Sequence, residues 1–198
     1  MAFCHLVTNW EHIIAGDKEE YAKTYLYLFD RFFNYGFKFT RDAGLVEDAI
    51  QEVLEKLWTD RKKLKRVANP AAYLFTSFRN ELLRKIKSPP ALHLDDTQPA
   101  PVVFGHDAVL IGHEQDDQLR QRLQQAVDQL SPRQKEAIFL RFYEGLSYEE
   151  VAGILGITHK ATYKLMARAL SELRSKMGLP LASILMLLQH HATLPTSF

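Results

Sequence analysis

The chain has a single cysteine, Cys4, among 198 residues. That excludes an internal disulfide framework and suits a reducing compartment. No apolar run reaches the roughly eighteen residues of a membrane span. The N-terminal MAFCHLVTNWEHIIAG lacks a basic start and a small-residue cleavage pattern, so a cytoplasmic protein without membrane insertion is expected. Lys and Arg number 25 against 24 Asp and Glu, so there is no overall basic footprint of the kind that binds nucleic acid on charge alone. There is no glycine-rich phosphate loop, no Cys–His pair at metal-ligand spacing and no nucleophile elbow, and the eight histidines are scattered. These absences point away from an enzyme and away from any metal or cofactor.

The near-neutral balance hides an uneven distribution. Residues 1–87 carry 15 basic and 12 acidic side chains, residues 88–117 carry none and 6, and residues 118–198 carry 10 and 6. The middle stretch, SPPALHLDDTQPAPVVFGHDAVLIGHEQDD, also holds four of the eight prolines and has no sustained periodicity. It is expected to be a flexible acidic linker. Its VVF and AVLI runs are compatible with short extended pieces, but nothing frames them as a sheet. The flanking segments show helical periodicity, which predicts an all-α protein of two small helical domains. The expected boundaries are 1–87, a linker over 88–117, a second domain over 118–178 and an apolar tail over 179–198.

The most informative stretch is LSYEEVAGILGITHKATYKLMARAL, residues 146–170. Ser147 and Glu150 have the spacing of a capping box. Gly156 offers a backbone free to take positive φ and close the first helix, and Thr158 can cap the second. Ala152 is small where two helices must cross, and Val151, Leu155, Ile157 and Leu165 supply apolar contact. Order and spacing are those of a helix-turn-helix. At about 100° per residue, Thr162, Leu165, Met166, Ala169 and Leu173 share one side of the second helix. Lys160, Tyr163, Lys164, Ala167, Arg168 and Ser171 share the other. Cations for phosphate and an aromatic for base edges suit duplex DNA. Thr158 and His159 lie at the helix N-terminus, where free N–H groups favour a phosphate. Upstream, Leu119, Leu123, Ala126, Val127 and Leu130 recur at helical spacing. Ser131 and Pro132 then start another helix that ends at Gly145.

In the first domain, NPAAYLFTSFRNELLRKIK begins with Asn69 as cap and Pro70 in the first turn. Ala71, Phe75, Phe78, Leu82 and Ile86 form its apolar stripe. Opposite lie Tyr73, Ser77, Asn80, Arg84 and Lys87. A ring to stack on bases, polar groups for their edges and cations for phosphates suit unpaired nucleic acid. A plain solvated face fits these residues equally well, and both readings stay open. In the preceding GLVEDAIQEVLEKLWTDRKKL, Val46, Ile50, Val53 and Leu57 form the buried stripe, with Asp48, Gln51, Glu52 and Glu55 across from it. An acidic face repels DNA and suits a basic protein partner; a solvated face is the plain alternative. The run RKKLKR at 61–66 is expected to be a basic loop.

Taken in order, these segments resemble an extracytoplasmic-function (ECF) sigma factor of bacterial RNA polymerase. VEDAIQEVLEKLW looks like that family's polymerase-binding helix. NPAAYLFTSFRNELLRKIK looks like its promoter-melting helix, with Tyr73 where Trp is common. LSPRQKEAIFLRFYEGLSYEEVAGILGITHKATYKLMARALSELR looks like its promoter-reading domain, although Ala161, Thr162 and Leu165 depart from the usual pattern.

The resemblance implies a chain that binds core RNA polymerase and directs promoter recognition and melting. It assigns Asp48, Gln51, Glu52, Glu55 and Trp58 to the polymerase. It assigns Tyr73, Ser77, Asn80, Arg84 and Lys87 to single-stranded DNA, and Thr158, His159, Lys160, Tyr163, Lys164 and Arg168 to the duplex. It allows an anti-sigma factor as a further partner and implies no cofactor. The competing reading is a stand-alone helix-turn-helix regulator, which would call for a sensor domain with alternating strands, and no such alternation is present. In the tail, Leu181, Ile184, Leu185 and Leu188 recur at helical spacing. Packing on the chain's own domain is expected, with binding of an inhibitory partner as the alternative.

Overall fold

The computed structural model describes residues 4–87 and 114–193, in which every regular element is helical. The helices fall into two compact units. The VVF and AVLI runs lie outside the described residues, as does all of the expected linker up to His113.

The first unit contains α1 (Cys4–Ala15), α2 (Lys18–Gly36), α3 (Ala43–Thr59), a 3-10 segment (Arg61–Arg66) and α4 (Pro70–Lys87). Local side chains start three of these helices. Asp17 accepts from the Glu19 and Glu20 N–H groups, Asp42 from Leu45 N–H at 3.0 Å and Asn69 from Ala72 N–H at 3.0 Å, each satisfying a donor that the first helical turn leaves open. Leu28, Phe32 and Tyr35 of α2 are fully buried with Ile50 and Leu54 of α3 and Phe75, Phe78 and Leu82 of α4. The Phe32 and Phe78 rings stack at 4.6 Å, and the Phe75 ring meets Phe32 edge-on at 5.1 Å. Gly36 brings α2 close to α3, since a Cβ there would stand 2.6 Å from Val46 Cγ1.

The expected stripes of α3 and α4 are buried, except that Ile86 is only half covered. RKKLKR is not a loop. It winds into the 3-10 segment because Leu64, its one apolar residue, is drawn into the core.

The second unit contains α5 (Glu114–Asp128), α6 (Pro132–Ile138), a π-helical segment (Phe139–Tyr143), α7 (Tyr148–Leu155), α8 (His159–Met177) and α9 (Leu181–Thr193). Helix α5 begins at Glu114, ahead of the expected end of the linker. Leu123, Ala126, Val127 and Leu130 are buried, as anticipated. Ser131 and Gln134 close a capping box at α6. The helix that the sequence predicts up to Gly145 changes winding at Phe139. Glu144 N–H reaches back to Phe139 O at 3.1 Å, one residue beyond the α-helical span. Gly145 then turns the chain with φ 71°. Helix α9 packs on this π segment and on α8, with Ile184 and Leu188 fully buried; of the expected stripe Leu185 is half covered and Leu181, at the start of the helix, is exposed.

Candidate polymerase and nucleic-acid interfaces

Helix α3 presents its acidic residues unequally. Asp48, Gln51 and Glu55 are exposed, and Asp48 and Glu55 have no ion-pair partner among the described residues. Glu52 instead leans on α4. Its carboxylate meets Lys56 at 2.8 Å, Lys85 at 3.3 Å and Arg84 at 3.4 Å. The hydrogen bond from Lys56, assisted by Lys85, holds this carboxyl down at about 2. Glu81, which is buried, pairs with Arg84 and lies 3.8 Å from Lys56. Hydrogen bonding to Glu81 raises the Arg84 pKa. A five-residue charge network thus clamps α3 to α4. Glu81, Lys56 and Lys85 had no assigned role from sequence. The i, i+4 pair of Glu52 and Lys56 and the i, i+3 pair of Glu81 and Arg84 were its visible signals; the cross-helix contacts had none.

Trp58 is half-buried. The Tyr21 ring lies 4.7 Å away, the Arg61 guanidinium sits 4.4 Å over the indole, and Arg61 Nη1 donates to Trp58 O at 2.6 Å. Trp58 therefore holds the corner between α2, α3 and the 3-10 segment, leaving only part of its ring for a partner.

On α4, Tyr73, Asn80, Arg84 and Lys87 are exposed and Ser77 is half-exposed, all opposite the buried stripe. Tyr73 and Ser77 also line a cleft of about 200 Å³ between α3 and α4, together with Lys56 and Glu81. Arg84 differs from the others because its guanidinium already serves Glu81 and Glu52.

The helix-turn-helix forms as its residues dictate. Ser147 and Glu150 exchange both capping bonds. Gly156 takes φ 63°, and Thr158 Oγ1 accepts from Ala161 N–H at 3.2 Å. Val151, Ala152, Leu155, Met166, Ala169 and Leu173 are buried, while Ile157 and Leu165 are only half covered. Thr162 is fully buried and satisfies its hydroxyl by donating to Thr158 O at 3.2 Å, which lets a polar residue occupy a core position. Thr158, His159, Lys160, Tyr163, Lys164 and Arg168 are all exposed, and Lys160, Lys164 and Arg168 have no ion-pair partner among the described residues. Tyr163 is not isolated: it stacks on Tyr148 of α7 at 4.4 Å, a contact that helical spacing does not reveal.

Comparison with known families agrees with both units. Residues 24–88 match the model of sigma-70 region 2, and residues 120–173 match that of sigma-70 region 4. The ECF RNA polymerase sigma factor SigK of Mycobacterium ulcerans (strain Agy99) is 25% identical over 166 residues, covering 82% of this chain and 88% of that protein. The chain belongs to the ECF sigma factors.

This sigma factor also resembles SigK of Mycobacterium sp. (strain KMS), 25% identical over 146 residues, or 70% of this chain and 73% of that protein. Its fold is shared with CnrH, solved in complex with the cytosolic domain of CnrY, at TM-score 0.54 and 16% identity over 85% of this chain and 94% of that one. It is shared also with RpoE of Bartonella quintana, solved with the anti-sigma factor NepR, at TM-score 0.53 and 22% identity over 81% and 98%. As a sigma factor the chain directs transcription initiation, with core RNA polymerase and promoter DNA as its partners. Sigma factors are in general non-enzymatic initiation factors. No described helix is long and apolar enough to cross a membrane.

Proposed function

We propose that three faces divide the work of this sigma factor. The row Asp48, Gln51 and Glu55 docks on a basic surface of the polymerase, with Glu52 and Trp58 at its margin. Tyr73, Ser77, Asn80, Arg84 and Lys87 hold unpaired promoter DNA, and the cleft beside Tyr73 and Ser77 takes an unstacked base. Thr158, His159, Lys160, Tyr163, Lys164 and Arg168 read the upstream promoter element in the major groove. The functional divisions are 1–87 for polymerase binding and melting, 88–117 as the acidic connection, 118–178 for duplex reading and 179–198 as the tail. The factor acts in the cytoplasm without catalytic activity of its own. An anti-sigma factor holds it inactive, a reading supported by the anti-sigma factor NepR solved with RpoE.

The observation that carries this reading is charge segregation. Among the described residues, the acidic side chains Asp48 and Glu55 on α3 and the cations Lys160, Lys164 and Arg168 on α8 have no ion-pair partner, in a chain whose net charge is only +1. Acid on one surface and base on another suit two partners of opposite sign. The test is transcription from genomic DNA by core polymerase with the purified chain, read by sequencing transcript starts. Discrete starts sharing upstream and downstream elements are expected. Arginine at both Asp48 and Glu55 should weaken core binding while the fold stays intact; unchanged core affinity would remove the docking assignment.

A further inference from the structure

A narrower role can be assigned to Tyr163, one that rests on α8 being the duplex-recognition helix. Among the described residues, Tyr163 is the one large apolar side chain exposed on α8, at 50%. Its neighbours on that face are cations or small residues, which suit phosphates and polar base edges. The single apolar group that a base edge offers in the major groove is the C5-methyl of thymine.

Tyr163 is also held in place. Its ring lies nearly parallel to Tyr148, 12° apart at 4.4 Å, so one face is covered by α7. The His159 imidazole closes on it edge-on at 4.8 Å and 85°. Tyr148 in turn carries the Arg141 guanidinium over its ring, 5.0 Å from the centroid. Arg141 is itself fixed by donation from Nη1 to Leu146 O at 2.8 Å. These pairwise contacts join Arg141, Tyr148, Tyr163 and His159 in one cluster that links the π segment to both helices of the motif. A ring with one face covered in this way loses rotamers that a lone exposed tyrosine would keep.

The cluster borders a cleft of about 270 Å³ that also carries Ser147 and Glu149. A carboxylate at that rim and a guanidinium already committed to a carbonyl and a ring do not make a phosphate seat.

We propose that Tyr163 selects a thymine methyl in the upstream element, and that Tyr148 and Arg141 are positioning residues that hold the Tyr163 ring for that contact. Tyr148 thereby sets sequence preference from outside the recognition helix.

Holoenzymes carrying wild-type, Tyr163→Ala, Tyr148→Ala or Tyr148→Phe chains each select from a promoter library randomised across the upstream element. The preferred duplex is then remade with thymine replaced by deoxyuridine, one position at a time. The wild type should demand thymine at one position and lose about five- to ten-fold in binding on deoxyuridine there. Tyr163→Ala and Tyr148→Ala should both lose that preference at the same position, whereas Tyr148→Phe, which keeps the ring, should retain it. Should Tyr148→Ala melt early, Tyr148→Leu keeps apolar bulk without a stacking ring and serves in its place. Retained methyl sensitivity in the Tyr148 variant, or weakening that is uniform over all sequences, overturns the positioning role while leaving α8 as the reader. A wild type indifferent to deoxyuridine at every position overturns the methyl contact. If Tyr163→Ala changes no preference and neither do substitutions at Lys160 and Lys164, the recognition-helix reading itself falls.

Discussion

Replacing Glu52 by glutamine tests the clamp between α3 and α4 directly. The amide keeps the shape and one acceptor but removes the charge that three cations share, at 2.8, 3.3 and 3.4 Å. An exposed ion pair contributes about 0.2–1 kcal/mol, and pairs sharing one carboxylate do not add. The Glu52 side chain is about one-third exposed, at 32%. Water and salt therefore screen much of the stabilisation that its depressed pKa would imply. A loss of about 1 kcal/mol at pH 7 is expected.

The pH dependence has a defined sign. The folded carboxyl ionises near 2, below its ordinary value of 4.5. Its contribution is therefore complete above about 4.5 and is lost as the pH falls through that range towards 2. Both tryptophans, Trp10 and Trp58, lie in the first unit, so urea unfolding followed by tryptophan fluorescence reports that unit alone. Glu52→Gln should unfold at lower urea than wild type at pH 7, and the gap should narrow as the pH falls from about 4.5 to about 3. Asp48→Asn, which breaks no ion pair, should match wild type throughout. Equal midpoints at pH 7, or a gap that persists unchanged at low pH, would refute the clamp.

Gly36→Ala should destabilise the first unit by about 1 kcal/mol, because crowding against Val46 and Phe78 outweighs the gain in helix propensity. Adding it to Val46→Ala should cost little more than Val46→Ala alone, and urea midpoints read both. Deleting residues 179–198 uncovers the surface that Ile184 and Leu188 bury. The second unit should lose about 2–3 kcal/mol after the relief of ordering entropy, seen as an earlier circular-dichroism melt. Gly156→Val should lower the melting point and abolish upstream-element binding in a gel-shift assay. Apart from its chain neighbours, nothing among the described residues lies within 4 Å of a Cβ at this position, so the cost comes chiefly from the backbone at φ +63°, and Gly156→Asn should be tolerated far better.

What could be read from the sequence was local. The cap at Ser131, the capping box at Ser147, the turn at Gly156 and the cap at Asn69 depend on residues close in the chain, and all of them form. The exposed faces of α4 and α8 follow from helical spacing alone. The misses were non-local or came from weighting one signal over another. Glu52 looks equivalent to Asp48 on a helical wheel, yet two of its three cationic partners lie about thirty residues away on α4. In RKKLKR the five charges masked the single Leu64 that organises the segment. Neither α1 nor α2 was drawn from the sequence, although Asp17 as a cap and Leu28, Phe32 and Tyr35 at helical spacing were there to be used. The π segment leaves no mark in the apolar pattern, since one extra residue per turn shifts the register only slightly. The Tyr148–Tyr163 stack joins two helices through a turn whose angle the residues do not state.

The position of Glu52 at the seam also limits how this sigma factor can diverge. Asp48 and Glu55 have no ion-pair partner among the described residues, and with Gln51 they stand exposed, so a drifting lineage can retune its hold on the polymerase there one residue at a time. Position 52 has no such freedom, because a lost or reversed charge strands Lys85 and loosens Arg84. In related chains a change at 52 should therefore travel with a change at 84 or 85, while the three outer positions vary independently of α4. Partner choice would evolve along the rim of α3, and its inner edge would change only in matched steps.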